Sequence, residues 1–278
     1  MEVIITFIQC IALAIMQGLT EFLPVSSSGH LVLLSKLFGL NEPSNFYDVL
    51  LHVGTLLSVI VVFYKDILML INRLFIMPQY LLNKNKFFKK DYDEDKYLRF
   101  LIGIFFASIP TAIIGLLLKD FVENLARSYF WVGVMLFVTA FLLIISGKIK
   151  AKNNEEVNIK KSLIIGIAQG LAVIPGISRS GFTIASGLLL KLNREDTGKF
   201  AFLMSIPAIA GAFLLKLSEV ELVLGQELLY MIVGFFVTFI VGIFALKLLL
   251  KMILKGSFIY FAYYCIVIGV LSVIMEFL

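Results

Sequence analysis

Three residues that can carry charge lie next to or within apolar stretches of this chain: Glu21, His30 and Arg179. Charged side chains are costly inside a membrane and are kept there mostly for function. Glu21 follows Gln17 by four residues, so the two side chains share one helix face. A carboxylate, an imidazole and a guanidinium could together bind an anion and move a proton. A structural Glu21–Arg179 ion pair and a packed His30 are the alternatives.

Two serine-rich turns lie beside these charged residues in the sequence. Pro24–Gly29 contains three consecutive serines, and Pro175–Gly181 contains one serine on each side of Arg179. Serine at the start of a helix can cap the free backbone amides, and helix N-termini attract anions. Arginine adds a fork that matches phosphate oxygens. So many converging donors predict a phosphate site in preference to a carboxylate site.

The two turns belong to an internal repeat. Ala14–Leu33 aligns without gaps with Gly166–Ala185 at a constant offset of 152 residues. The shared glycines and serines are typical of scaffold, whereas the chemistry differs between the copies. This asymmetry predicts one composite site, with Glu21 and Arg179 within about 10 Å of each other. The differing pairs are Glu21 and Val173, Ser27 and Arg179, and His30 and Phe182.

The composition predicts that the protein is embedded in a membrane. Hydrophobic residues make up 60% of the chain and charged residues 15%, and the mean hydropathy is +0.99. A soluble domain of ordinary composition is about one quarter charged. The net charge is +5, but the basic residues lie in a few segments between apolar stretches. That pattern is typical of cytoplasmic loops and does not indicate nucleic-acid binding.

The elements that must position the site are helices. Six apolar stretches approach the length of a membrane span, and four shorter ones flank the serine-rich turns. Short apolar segments joined by irregular backbone predict re-entrant helical hairpins. The predicted fold class is an all-α integral membrane protein, with six transmembrane helices plus two re-entrant helical hairpins in an inverted-topology repeat. The predicted spans are Val49–Tyr64, Leu98–Leu118, Tyr129–Ser146, Phe200–Leu217, Leu228–Leu250 and Ser257–Leu278, and the hairpin segments are Val3–Met16, Phe22–Phe38, Ser162–Ile174 and Phe182–Leu192.

This arrangement predicts a single membrane domain over residues 1–278, with repeats at about 1–147 and 160–278. Lys and Arg set the orientation of membrane proteins. Placing every basic segment in the cytoplasm opens the first hairpin to the outer face and the second hairpin to the cytoplasm. The basic segments are Lys65–Lys96, Lys148–Lys161, Lys191–Lys199 and Lys247–Lys255.

Two segments resemble a known family. Gln17–Glu21 is similar to the (E/Q)-x-x-x-E signature, and Pro175–Thr183 to the P-G-x-S-R-S-x-x-T signature, of bacterial undecaprenyl-diphosphatases, the bacitracin-resistance family. The resemblance extends over essentially the whole chain. It implies hydrolysis of undecaprenyl diphosphate to undecaprenyl phosphate and phosphate in the cytoplasmic membrane, with a divalent cation, Mg²⁺ or Ca²⁺. That reaction recycles the lipid carrier for cell-wall synthesis and confers bacitracin resistance.

Within this resemblance, four residues are expected to carry the catalysis. Arg179 would hold the diphosphate and stabilise developing charge, and Glu21 would bind the cation or orient the base. His30 would act as general base, general acid or nucleophile. Ser27, activated by His30, is the alternative nucleophile, and water is the third. The substrate-binding residues are expected to be Gln17, Ser26, Ser28, Gln169, Gly176, Ser178, Ser180 and Thr183.

The expected partners are a polyprenyl diphosphate lipid and the membrane lipids, and a homodimer is left open. A transporter is the second function, because inverted repeats with broken helices are also the framework of alternating access. A purely structural scaffold would not explain the charged residues. His52 is predicted to be a packing residue and Asp48 an interfacial cap, with a role at the pocket mouth as the alternative.

Overall fold

The computed structural model describes residues 6–40, 45–82, 92–126, 128–149, 155–217, 225–256 and 258–277. Across these ranges the regular structure is helical, apart from an isolated bridge between Glu155 and Leu192. The helices are α1 (Phe7–Thr20), α2 (Ser27–Leu37), α3 (Asn45–Val62), α4 (Tyr64–Leu82), α5 (Lys96–Leu117), α6 (Lys119–Ala126), α7 (Tyr129–Gly147), α8 (Ile159–Leu171), α9 (Arg179–Leu189), α10 (Arg194–Leu217), α11 (Gln226–Lys255) and α12 (Ile259–Met275).

Several helices are long and apolar enough to cross a membrane. Within the described ranges α5, α7, α10 and α11 qualify alone, and α3 and α4 qualify as a pair bent by 82°. The apolar helices α1 and α12 are shorter. Large apolar side chains such as Phe105, Phe141 and Phe244 point outward, as a lipid-facing surface requires. The all-helical, multi-pass character of the chain is confirmed, while the count of six spans stays a prediction.

The predicted loop Lys65–Lys96 is wrong over its first half, where the structure has α4. The prediction followed the basic residues and overlooked the apolar spacing of Ile67, Leu70, Ile71 and Leu74, which is helical. Leu70 is buried in the core, so this face of α4 packs on the protein. Asn83 and the charged run beyond it, to residue 91, lie outside the described residues.

The turn-containing segments fold as two helical hairpins. In the first hairpin, α1 and α2, the side-chain amide of Gln9 donates to the carbonyl of Phe38 at 3.3 Å. In the second hairpin, α8 and α9, the amide of Glu155 donates to the carbonyl of Lys191 at 3.3 Å. Each contact joins the start of one helix to the end of its partner. Each hairpin therefore begins and ends on the same side, with its turn at the far end.

The open ends of the two hairpins lie at opposite ends of α7. Lys36, near the end of α2, places its ammonium group 3.6 Å from the ring centroid of Tyr129, the first residue of α7. Arg194, which follows α9, donates to the carbonyl of Ile149 at the other end at 3.3 Å. The hairpins therefore approach α7 from opposite directions.

The hairpin turns meet beside the middle of α7. Thr139 Oγ1 donates to the carbonyl of Gly176 at 2.9 Å and accepts from the amide of Ser178 at 3.1 Å. An α-helix rises 1.5 Å per residue, so Thr139 lies about 15 Å from the start of α7. The region where the turns meet is thus remote from both ends of this helix.

The hairpins pack against helices from the other half of the chain: α1 lies along α11, and α8 lies along α5. A Cβ added to Gly18 would lie 2.9 Å from the carbonyl oxygen of Thr238. One added to Gly166 would lie 2.3 Å from that of Ala107. Only glycine permits backbones to approach so closely. The two halves therefore interlock, and the site between the turns draws on both.

Candidate active site

Serine caps begin the second helix of each hairpin. Ser26 Oγ accepts from the amide of Gly29 at 3.3 Å, and Ser178 Oγ accepts from the amide of Gly181 at 3.1 Å. The two caps occupy equivalent positions of the sequence repeat. The predicted capping role of these serines is confirmed, and it places two helix N-termini beside each other.

A direct hydrogen bond joins the two turns. Ser26 has a φ of 68°, a left-handed conformation uncommon for a residue with a Cβ. Its hydroxyl oxygen also accepts from the amide of Gly176 at 3.1 Å. Gly176 has a φ of 93°, and an added Cβ would lie 2.4 Å from the carbonyl oxygen of Val132. Ser26 and Gly176 thus fix the relative position of the turns.

Glu21 is the centre of the charged set. Its carboxylate is buried and lies 2.5 Å from the guanidinium of Arg179. The other carboxylate oxygen accepts from Ser27 Oγ at 2.6 Å and from Gln17 Nε2 at 3.1 Å. Hydrogen bonds to an ionised carboxylate are the stronger kind. The predicted convergence of Glu21 and Arg179 is confirmed, and Ser27 from the first hairpin joins them.

His30 is not hydrogen-bonded to Ser27, contrary to the expectation that it would activate Ser27 as an alternative nucleophile. The ring Nδ1 donates to the carbonyl of Ser26 at 2.8 Å, and Nε2 lies 2.8 Å from the hydroxyl of Tyr264. Both ring nitrogens thus have partners. Residues three apart on a helix share a face only approximately. Ser27 bends back toward Glu21, while His30 points toward α12, so the carboxylate of Glu21 lies beside Ser27 and the imidazole of His30 does not.

Most of the other predicted binding residues use their polar groups within the protein. Ser28 Oγ lies 3.3 Å from Ser26 Oγ, and Ser178 Oγ lies 3.2 Å from Ser180 Oγ. Ser180 also donates to the carbonyl of Leu23 at 3.2 Å, which adds a second contact between the turns.

Thr183 and Gln169 form hydrogen bonds to groups other than the charged side chains. Thr183 Oγ1 donates to the carbonyl of Arg179 at 2.8 Å, within its own helix. The side-chain amide of Gln169 reaches Thr111 at 3.4 Å and the carbonyl of Met204 at 3.5 Å. The contacts of Gln169 connect the second hairpin to α5 and α10. A role in substrate binding stays a prediction for both residues.

Sequence reasoning did not assign Thr139 or Tyr264 to the site. A buried threonine in an apolar span and a tyrosine in the last helix are ordinary residues by type. The repeated Phe-Val-Thr sequence that contains Thr139 was the available signal. Its second copy ends at Thr238, which holds the first hairpin by donating to the carbonyl of Ala14 at 3.0 Å.

Asp48 and His52 contact each other on α3. His52 Nδ1 is 2.8 Å from the carbonyl oxygen of Asp48 and 3.3 Å from its carboxylate. His52 is also within electrostatic range of the Glu21 carboxylate. The contact with Asp48 gives His52 a polar partner, and a role at the pocket mouth stays a prediction for Asp48.

Gln17 has a feature that bears on metal binding. Its Oε1 atom is buried beside Glu21 and has no hydrogen-bond partner. Amide and carboxylate oxygens are the ligands that Mg²⁺ and Ca²⁺ prefer. The described residues contain no group of three or more acidic, histidine or cysteine side chains placed to hold a metal. Glu21 and Gln17 therefore fit a cation whose remaining ligands come from phosphate and water.

The family model of Bacitracin resistance protein BacA matches residues 10–271. The chain belongs to this family. Both hairpin turns, the charged set and all of the second hairpin lie within the matched residues, and the resemblance of the two signatures is confirmed. An undecaprenyl-diphosphatase of Methanosphaera stadtmanae is 42% identical over 274 residues, covering 97% of this chain and 98% of the relative. An undecaprenyl-diphosphatase of Desulforapulum autotrophicum is 44% identical over 271 residues, covering 97% of this chain and 98% of that relative.

Proposed function

We propose that this BacA-family protein hydrolyses undecaprenyl diphosphate to undecaprenyl phosphate and inorganic phosphate. The activity named for its full-length relatives supports the substrate and the reaction. The observation that carries the proposal is the contact of Glu21 with both Ser27 and Arg179 between two helix N-termini. The product is the lipid carrier of cell-wall synthesis, so its recycling would also counter bacitracin.

The site has the donors that a diphosphate requires. Arginine presents five N–H donors, and the contact with Glu21 uses one terminal nitrogen of Arg179, which leaves others for phosphate oxygens. The first amides of α2 and α9 have no partner within their helices, and the helix dipoles favour an anion there. Hydrogen-bond donors aimed at developing charge are an effective source of catalysis. Arg179 is therefore proposed to bind the diphosphate and stabilise the transition state.

Ser27 is proposed as the nucleophile and Glu21 as its base. Ser27 Oγ attacks the terminal phosphorus while its proton passes to Glu21, 2.6 Å away. The bond between that phosphorus and the bridging oxygen breaks, and undecaprenyl phosphate leaves with the electron pair. Glu21 gives this proton to the departing phosphate oxygen and is a base again. Water then attacks the phosphoserine while its proton passes to Glu21, which returns that proton to Ser27 Oγ as phosphate is released.

Glu21 and the free Oε1 of Gln17 are proposed to hold Mg²⁺ or Ca²⁺, which would neutralise charge on the diphosphate oxygens. The protein supplies few ligands of its own, so binding should depend on the substrate. Mg²⁺ commonly binds in this way, through one or two carboxylates and substrate phosphates.

We further propose the full topology of six spans and two re-entrant hairpins, with repeats at about 1–147 and 160–278. The hairpins approach α7 from opposite ends, and this supports an inverted arrangement. The basic segments support a first hairpin that opens to the outer face of the cytoplasmic membrane. The site would then accept its substrate from the outer leaflet.

Cysteine labelling tests this orientation. Both native cysteines are buried, so their background labelling should be low. An impermeant maleimide added to intact cells should label Gln226→Cys, at the exposed start of α11, and leave Lys160→Cys, at the exposed start of α8, unlabelled. Lys160→Cys should react after lysis. The reverse pattern in intact cells would mean that the proposed orientation is inverted.

Release of phosphate from a water-dispersible prenyl diphosphate tests the function itself. The detergent-purified protein should release one phosphate per substrate and leave the prenyl monophosphate. An Arg179→Ala variant purified in the same way excludes a contaminating phosphatase as the source. A protein that moves the lipid in vesicles but releases no phosphate would be a transporter, and the proposal of hydrolysis would fail.

A further inference from the structure

Tyr264 connects the last described helix to the active site. It lies on α12, and its hydroxyl oxygen is 2.8 Å from Nε2 of His30. The two rings are nearly parallel, with an interplanar angle of 6° and centroids 5.5 Å apart. His30 is 4% exposed and Tyr264 is 41% exposed. The tyrosine thus lies between the buried imidazole and the protein surface.

The partners of His30 determine which ring nitrogen carries the proton. The carbonyl of Ser26 can only accept, so Nδ1 must donate to it. In the neutral ring Nε2 is then the acceptor, and the hydroxyl of Tyr264 donates to it. The hydrogen bond made by one ring nitrogen determines whether the other nitrogen is protonated. By donating to Nε2, the Tyr264 hydroxyl stabilises the tautomer protonated at Nδ1, which the Ser26 carbonyl requires.

This chain of hydrogen bonds ends at the turn that carries Ser27. Ser26 holds a left-handed conformation, which costs free energy and persists only when its surroundings impose it. The bond from His30 to the Ser26 carbonyl is one of the contacts that do so. The next residue is Ser27, whose hydroxyl points to Glu21. A change at Tyr264 would therefore reach the nucleophile through His30 and Ser26.

We propose that Tyr264 is a positioning residue for the hydrolysis: it orients His30, which holds the Ser26 turn and so directs Ser27 toward Glu21. This inference rests on the function proposed above. It assigns to His30 the role of aligning Ser27, since both ring nitrogens have hydrogen-bond partners and neither partner is Ser27.

The test is Tyr264→Phe, which removes the hydroxyl and keeps the ring. We expect kcat to fall about tenfold to a hundredfold while KM changes less than about twofold, because Arg179 and the N-terminus of α9 are untouched. Tyr263→Phe is the matched control, since Tyr263 is the neighbouring residue and is 58% exposed. It should leave kcat within about twofold. A parental kcat in folded Tyr264→Phe would overturn the proposal.

A double variant tests whether Tyr264 acts through His30. In a His30→Ala background, Tyr264→Phe should change kcat by less than about twofold, because residues that act as one unit are not additive. An unchanged tenfold loss in that background would show that Tyr264 acts by another route and would contradict the proposal.

A spectroscopic readout separates this inference from the proposed function. The chain contains two histidines, so ¹⁵N-histidine labelling gives two imidazoles, and His30→Ala assigns them. His30 should show a protonated Nδ1 and an unprotonated, hydrogen-bonded Nε2, and Tyr264→Phe should shift the Nε2 resonance. An unshifted resonance would refute the contact. A protein that showed the shift but released no phosphate would refute only the hydrolase.

Discussion

Replacing Glu21 with glutamine should reduce phosphate release by at least about a thousandfold, which corresponds to about 4 kcal/mol of transition-state stabilisation. Glutamine has almost the same shape, but it can neither take the proton of Ser27 nor balance the charge of Arg179. Both groups contact the Glu21 carboxylate directly. The measurement is kcat/KM for a short-chain prenyl diphosphate, with thermal unfolding in detergent to show that the variant is folded.

The sequence repeat provides the control for this variant. Val173 occupies the position equivalent to Glu21 in the second hairpin and is 36% exposed. Val173→Ala should leave turnover within about twofold, because we propose a single site and Val173 has no role in it. Equal losses in the two variants would mean that the asymmetry between the hairpins carries no chemistry. Glu21→Gln with more than about a tenth of the parental rate would exclude Glu21 as the base.

Ser27→Ala should also reduce turnover by at least about a thousandfold, because it removes the proposed nucleophile. The loss should fall on kcat more than on KM, since Arg179 and the helix N-termini would still bind the diphosphate. Ser35→Ala is the matched control on the same helix. Ser35 is buried and its hydroxyl has no hydrogen-bond partner, so this variant should be active and no less stable.

A covalent intermediate distinguishes Ser27 from water as the attacking group. Acid quenching of the parent protein during turnover of a substrate labelled in its terminal phosphate should leave label on a peptide that contains Ser27. Ser27→Ala should show none. If Ser27→Ala kept most of the parental rate and no labelled peptide formed, the proposed step at Ser27 would be wrong.

Much of the site could be predicted from the sequence because its evidence is local. The signatures around Gln17 and Arg179 identified the family, and the offset between the copies separated scaffold serines from chemical groups. Capping by Ser26 and Ser178 followed from their place before a helix. The proximity of Glu21 and Arg179 followed from the requirement that two unequal hairpins form one site, whereas their direct ion pair was the alternative interpretation. These inferences needed residue types and spacing only.

Other features depended on contacts between distant parts of the chain. His30 and Tyr264 are 234 residues apart, and spacing within α2 suggested Ser27 as the partner of His30 instead. Helical spacing defines the face on which a side chain lies, but neighbouring helices determine which hydrogen-bond partner it reaches. The helix α4 was missed for a related reason, since its charges suggested a loop while packing of its apolar face favours a helix.

The sequence by itself determined the membrane environment, the paired hairpins and the residues able to do chemistry, because composition, spacing and the repeat record these properties directly. The family followed from the resemblance of two signature motifs. Only the tertiary structure decided that Glu21 contacts Ser27, that His30 faces Tyr264, and that Thr139 holds the second turn. The physical reason is that a buried polar group must find a hydrogen-bond partner, and the packing of the helices determines which partners are within reach.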